Sequence, residues 1–542
     1  MTRRWLLAFS LVFAPSVHAA ERGMVVARNG MAASMHPLAS KIGIGVLERG
    51  GNAADAAIAM AAVLSVVEPQ MSGLGGDAMI LYYSAADGRV FGLNASGRAP
   101  GAASLDYFID QGLDSMPRKG IHAVTVPGAL SGWTMLLERF GSQSFAELLD
   151  PAIRYADEGI PVNEWLHRWY ETVSITEESA RKTYTIDGRI PGLGDVLVQK
   201  SLAATYRKIA AGGADVFYRG EIAEAIVRTS RSEGGFLTLE DLDGHRANWV
   251  EPLESSYRGY QVLGFPPNTQ GLALLQQLNL LDLFDLRAMG PGSLQALHTM
   301  VEAKKLVFAD RDHFIADPGS TSIPVEELLS KSYAERRAKA IDPDAAATTV
   351  AAGRPESHNT TYFNVADRFG NAVSFITSLK SPWGSQIVVE GTGILLQNRG
   401  NGFSLDPSHP NRFAPHKRPF HTINPAMVLQ AGKPHLLVGC AGGDQQTTAM
   451  AQVLVNVIDF GMNVQDAIDQ PRWTHLNGAR IALESKLSTT DSTELARMGH
   501  ELETNDHPDV YWGDCQVIRR DDETGALFGG SESRASGAAL GY

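Results

Sequence analysis

Asn359-Thr360-Thr361-Tyr362-Phe363-Asn364-Val365-Ala366-Asp367 marks a change of character in this chain. From Thr361 to Asp367 the residues alternate as in a strand. Arg368-Phe369-Gly370 reads as a turn, and Asn371 to Thr377 as a returning strand. The preceding stretch, Ala340 to His358, is polar and alanine-rich and carries Gly353-Arg354-Pro355, which suits a linker. Further upstream, from Ala129 to about Ala340, the spacing is mainly helical, with apolar faces over Gly271 to Leu286 and at Leu294, Leu297, Val301 and Phe308. A helical half followed by a strand-rich half predicts a layered α/β or α+β body. Taken alone, Thr360-Thr361 is a threonine pair at a strand start, where β-branched residues are at home.

Two further segments extend the strand-rich half. Pro425 to Gln430 and His435 to Cys440 read as a hairpin around Gly432-Lys433. After Gly442-Gly443 comes a helix that turns Met450, Val453, Leu454 and Val457 inward. Near the N-terminus, Pro37 to Glu68 reads as two helices. Gly50-Gly51 ends the first in the left-handed conformation. Asn52 caps the second, with Asp55 in its first turn and Met60, Leu64 and Val67 on one face. Ser72-Gly73-Leu74-Gly75-Gly76-Asp77 is a loop leading into a strand from Ala78 to Tyr83.

The 542 residues exceed what one ordinary core serves, and 44% hydrophobic with 20% charged residues is a globular composition. A net charge of -13 argues against a nucleic-acid binder, which needs a basic face. Arg3 and Arg4, the apolar run Trp5 to Phe13, and the small residues around Ala19-Ala20 stand in the order of an export signal over residues 1–20. That order predicts a periplasmic or secreted protein with no membrane association once the signal is removed. Cys440 and Cys515 are the only cysteines. A pair in an oxidising compartment and two free core thiols are both open.

Familiar site motifs are missing. Gly43-Ile44-Gly45 lacks the third glycine of a dinucleotide loop, and there is no Walker sequence, His-Glu-x-x-His or Gly-x-Ser-x-Gly. His409, His416 and His421 are too far apart for a zinc motif, so no metal or cofactor is expected.

Another set of segments does recur in a known order. It comprises Glu48-Arg49-Gly50-Gly51-Asn52-Ala53-Ala54-Asp55-Ala56, Gly73-Leu74-Gly75-Gly76-Asp77, Val126-Pro127-Gly128, Glu302-Ala303-Lys304, Ala309-Asp310-Arg311 and Asp317-Pro318. It continues with Asn359-Thr360-Thr361, Asp367, Gly370-Asn371-Ala372-Val373, Gly393 to Leu396 with Asn398, Lys417-Arg418-Pro419, Ala441-Gly442-Gly443 and Gly541-Tyr542. In these segments the chain resembles the γ-glutamyltranspeptidase family of N-terminal-nucleophile hydrolases, over nearly its whole mature length.

The resemblance implies a four-layer αββα sandwich. It also implies a precursor that cuts itself between Asn359 and Thr360 into a large subunit, 21–359, and a small subunit, 360–542, which stay partners. Thr360 is then the catalytic nucleophile, and its freed α-amine, which titrates at about 8, serves as base. Gly442 and Gly443 match the oxyanion-hole glycines, and Thr361 matches a residue thought to assist the cut.

The positions that hold a γ-glutamyl substrate in this family have changed. Its arginine falls near Ser96, with Arg98 two residues on. Its hydroxyl residue falls at Ser378, the following asparagine at Lys380, the acid that holds the amine at Gly402 and its companion at Arg399. The serine pair falls at His421-Thr422. Phe403 to Lys417 is shorter than in members with a lid loop, which implies a more open pocket. Without the acid, a buried substrate ammonium has no partner. Arg98, Ser378, Lys380, Arg399, His421 and Thr422 therefore form a basic substrate pocket, suited to a small-molecule amide whose acyl group ends in a carboxylate without an amine. That fits the acylase-like and amidohydrolase-like branches. An ordinary glutathione hydrolase or γ-glutamyltransferase is the alternative reading, and an inactive binding relative is another.

Overall fold

Two antiparallel seven-stranded sheets lie face to face between layers of helices. In this computed structural model residues 22–348, 359–485, 487, 489–503 and 512–542 are described. The expected signal at 1–20 lies outside them, as do residues 349–358 of the linker expected over 340–358. The first part of that linker is bonded to the body, Ala346 N–H to the Met498 carbonyl and Ala347 to Glu302 and Lys305. The first sheet runs Ala538–Gly541, Met31–Ser34, Asn359–Ala366, Ala372–Lys380, Asp77–Ser84, Arg89–Ala95, Asn248–Val250. The second runs Val25–Ala27, Leu527–Ser531, Asp514–Arg520, Lys433–Ala441, Ala426–Gln430, Tyr260–Gly264, Leu253–Tyr257. Each sheet combines strands from before and after residue 359.

Alternation along the strands builds the layers. Met79, Leu81 and Tyr83 point between the sheets and meet Met427, Leu437 and Ile518. Their neighbours Ile80 and Tyr82 point outward onto the first helical layer. On the other side Val428, Leu436, Val438 and Val517 carry helices Gly271–Leu281, Leu294–Phe314 and Gln445–Ile458. The expected αββα sandwich is the observed one.

Helices Pro37–Glu48 and Ala53–Val67 are separated by Gly50, at φ +95°, and by Asn52. The Asn52 side chain accepts from Ala54 and Asp55 N–H while Asp55 bonds back to the Asn52 N–H. Every residue of Ala53–Val67 is buried, so the helix is apolar on all sides rather than on the single face expected from Met60, Leu64 and Val67. Its alanines serve close packing. A Cβ at Gly43 of the neighbouring helix would stand 2.4 Å from the Met60 sulfur. Asp367, in the turn after Asn359–Ala366, accepts the Ala53 N–H at 2.8 Å and so fixes that turn to the helix start.

The helical reading of 129–340 needs correcting. Asn248–Val250, Leu253–Tyr257 and Tyr260–Gly264 are strands. They are short and sit at or next to sheet edges, where a half-exposed strand carries little periodic signal. The second hairpin turns at Ala431-Gly432, both at positive φ, one residue earlier than expected. Cys440 and Cys515 face each other across paired strands and form a disulfide.

Candidate active site

The glycine loop after helix Ala53–Val67 brings backbones into contact. A Cβ at Gly75 would lie 2.1 Å from the Leu395 carbonyl oxygen, and one at Gly76 would lie 2.6 Å from that of Ser378. Asp77, next in line, starts a strand directly opposite Ser378. The Thr360 hydroxyl donates to Ser378 Oγ at 3.3 Å and accepts from Gln446 Nε2 at 3.3 Å. Ser378 Oγ also accepts the Lys380 N–H at 2.7 Å.

Gln446 links the threonine to the glycine pair, because its own N–H donates to the Gly443 carbonyl. Gly442 and Gly443 have φ of 127° and 57°, which favours residues without a Cβ, and helix Gln445–Ile458 begins just beyond. The loop is braced from below. Gln270 Nε2 donates to the carbonyls of Gly443 and Thr422, and Arg311 holds both Gln270 Oε1 and the Asp444 carboxylate.

Beside this lies a buried charged group. Arg399 is fully buried, and none of its three guanidinium nitrogens has a hydrogen-bond partner among the described residues. Its closest acid is Asp77, 3.8 Å away. Burial lowers Arg399 to about 10, and Asp77 partly offsets this. Burial also raises Asp77 to about 7, opposed first by Arg399 and then by the Gly97 and Gly128 N–H groups. His421 Nε2 lies 2.7 Å from Ser96 Oγ and 3.5 Å from Asp77. Burial, with Arg399, Arg418 and Lys380 nearby, holds His421 well below its ordinary value, so it is neutral. Arg418 donates to the Ser96 carbonyl at 3.0 Å. Lys380, at positive φ, donates its ammonium to Asn401. The Thr422 hydroxyl is buried without a partner among the described residues.

The structure thus gathers Thr360, Ser378, Lys380, Arg399, His421 and Thr422, with Gly442 and Gly443 alongside. Arg98 is half-exposed. It bonds the His416 carbonyl and Asp317, and Asp317 also accepts the Arg418 N–H. Thr361 points to the helical side, where its hydroxyl donates to Glu68 at 2.7 Å. Gly402 leaves little room for a side chain. A Cβ would stand 2.9 Å from the Phe420 carbonyl oxygen and 3.9 Å from Lys380 Cε.

Asp77, Glu68, Arg418, Gln270 and Gln446 escaped the sequence reading as site groups. A carboxylate after two glycines, or before a proline as at Glu68-Pro69, is an available signal only once burial is known. A cleft of about 590 Å³ opens elsewhere, between helices Glu178–Tyr184 and Lys200–Gly212 and the loop 388–393. None of its lining residues belongs to the threonine cluster, so the chemistry rather than cavity size marks the candidate site.

The sequence model of a family described as gamma-glutamyltranspeptidase matches residues 39–542. A glutathione hydrolase-like YwrD proenzyme of Bacillus subtilis is 39% identical over 95% of this chain and 99% of its own. An oxamate amidohydrolase proenzyme of Klebsiella pneumoniae is 35% identical over 95% of this chain and 99% of its own. The crystal structure of cephalosporin acylase from Bacillus halodurans superposes with a TM-score of 0.91 at 39% identity, covering 98% of this chain and 99% of that one.

Proposed function

The chain belongs to the γ-glutamyltranspeptidase family, and from that premise we propose that it is a self-processing amidohydrolase with Thr360 as nucleophile. The observation that carries this reading is the setting of Thr360. Its hydroxyl is held between Ser378 and Gln446, and Gln446 is bonded in turn to the Gly442-Gly443 loop.

In the first reaction the Thr360 hydroxyl adds to the Asn359 carbonyl carbon. The C–N bond between the two residues breaks, and the hydroxyl proton ends on the freed amine. Water opens the resulting ester, leaving the Asn359 carboxyl and restoring the hydroxyl. In turnover the same hydroxyl attacks a substrate amide, and the α-amine passes its proton to the leaving amine. The N–H groups of Gly442 and Gly443 take the developing oxyanion, a contribution of about 3 kcal/mol per donor in comparable sites. Water, or an amine acceptor, then releases the acyl group.

The acyl group proposed is one ending in a carboxylate and lacking an α-amine. Arg399, buried with unused donors, suits a bidentate carboxylate, and Lys380 and Arg418 add positive charge. At Gly402 there is no acid to hold an ammonium. The names of the amidohydrolase and acylase relatives fit this reading. The leader at 1–20 and the disulfide support export to an oxidising compartment.

A comparison of anilide substrates tests the proposal. Faster p-nitroaniline release from a glutaryl than from a γ-glutamyl anilide is expected. The opposite preference makes the protein an ordinary glutathione hydrolase, and no turnover of any amide leaves a binding relative.

A further inference from the structure

Glu68 is a carboxylic acid with no exposed surface, at the end of a helix buried on every side. One of its oxygens takes the Thr361 hydroxyl at 2.7 Å, and the other has no hydrogen-bond partner among the described residues. Thr361 is the second residue after the proposed cut, so Glu68 holds the side chain that directly follows the nucleophile. Such a group, half-satisfied in a dry interior, is unfavourable to stability and calls for a role.

We propose that Glu68 is a positioning residue for self-cleavage, setting through Thr361 which way the hydroxyl hydrogen beside the scissile bond points. This rests on the self-cleavage reading above. A threonine hydroxyl has one hydrogen and two lone pairs. When Glu68 is ionised, that hydrogen is committed to the carboxylate. When Glu68 is protonated, the carboxyl becomes the donor, and the Thr361 hydrogen is released to the backbone at the cut. No atom of Glu68 is consumed, and the bonds made and broken are those already given.

Among the described residues, two groups act on Glu68 from other elements. Thr361 reaches it from the Asn359–Ala366 strand, and the acidic side chain of Asp514 acts on it from the Asp514–Arg520 strand. Burial, helped by the charge of Asp514 and opposed by the Thr361 hydrogen bond, pushes Glu68 up to about 8. At neutral pH the protonated, releasing form therefore predominates.

The test follows cleavage of the full-length precursor on denaturing gels from pH 6 to 9.5, with melting temperature recorded for each variant. Glu68→Ala, which leaves Thr361 without a partner, is expected to slow the cut by about tenfold or more. Glu68→Gln, a fixed mimic of the protonated acid, is expected to restore the cut and to lose the fall in rate expected of wild type above about pH 8. Thr361→Val carries the test if Glu68→Ala does not fold. It is expected to slow the cut as much, with melting lowered because the buried carboxyl loses its partner. Wild-type rates in Glu68→Ala and Thr361→Val, or a wild-type alkaline fall in Glu68→Gln, overturn the inference. A wild-type chain that never cuts at Asn359 overturns the proposed function instead, which keeps the two failures distinct.

Discussion

Asp77 and Ser378 stand opposite one another on neighbouring strands, and that pairing joins the two halves of the candidate site. Ser378 takes the Thr360 hydroxyl, while Asp77 faces Arg399. A single strand register therefore sets the spacing between the proposed nucleophile and the proposed carboxylate holder. A slip of one residue between these strands would put Asp77 and Ser378 on opposite faces.

The strongest dependence falls on Thr360. Thr360→Ala removes the attacking hydroxyl, so the precursor is expected to remain one chain and to hydrolyse no amide. Thr360→Ser is expected to cut and turn over. N-terminal sequencing of the small fragment checks both, since the new terminus must be residue 360.

Arg399→Met keeps bulk while removing the donors that a substrate carboxylate would take. The expected change is a KM raised about tenfold to a hundredfold for a glutaryl anilide, from the loss of charged hydrogen bonds. An anilide without the carboxylate should be unaffected. Equal losses on both substrates would remove Arg399 from the pocket.

Stability should respond to pH through Glu68. Its folded pKa of about 8 lies above the ordinary 4.5, so the folded chain keeps a proton that the unfolded chain gives up. Below pH 4.5 both states are protonated and nothing is lost. As pH rises from there to about 8, stability falls. Glu68→Gln has no such titration. Its advantage over wild type is expected to grow across that window, to about 4 kcal/mol at most. Urea unfolding at pH 5 and pH 8 measures it, and a constant difference refutes it.

The disulfide joins residues 75 apart in sequence. On the loop-entropy account, replacing both cysteines by alanine should destabilise the fold by about 4 kcal/mol. Both residues lie on the C-terminal side of the proposed cut, so non-reducing gels should still separate two fragments in the processed protein.

The layered helix-and-strand body and the threonine strand were legible because their signals are local, whereas the four-layer sandwich came from the family resemblance. Capping at Asn52, a glycine pair before a helix and the alternation after Thr361 each show in a few consecutive residues. The edge strands between 248 and 264 were not legible, because only pairing partners far along the chain make them strands. The same limit hid Asp77, Glu68 and Gln446. Each is an ordinary residue in its own segment and gains its character from burial beside groups far along the chain, 86 positions away for Gln446 and 293 for Glu68. For Arg98, whose charge suggested the pocket, the structure gives only its partners, Asp317 and the His416 carbonyl.

Both sheets interleave strands from either side of residue 359. A nick there doubles the number of chains without opening a seam. Before the nick, the tether keeps the partner strands at high effective concentration, so their pairing is a first-order event. Two separately synthesised pieces would meet only by diffusion, each with unpaired strand edges prone to wrong association. The uncut precursor is thus the assembly template. Once heat or denaturant has separated the processed pieces, recovery should depend on protein concentration, as it does not for the intact chain.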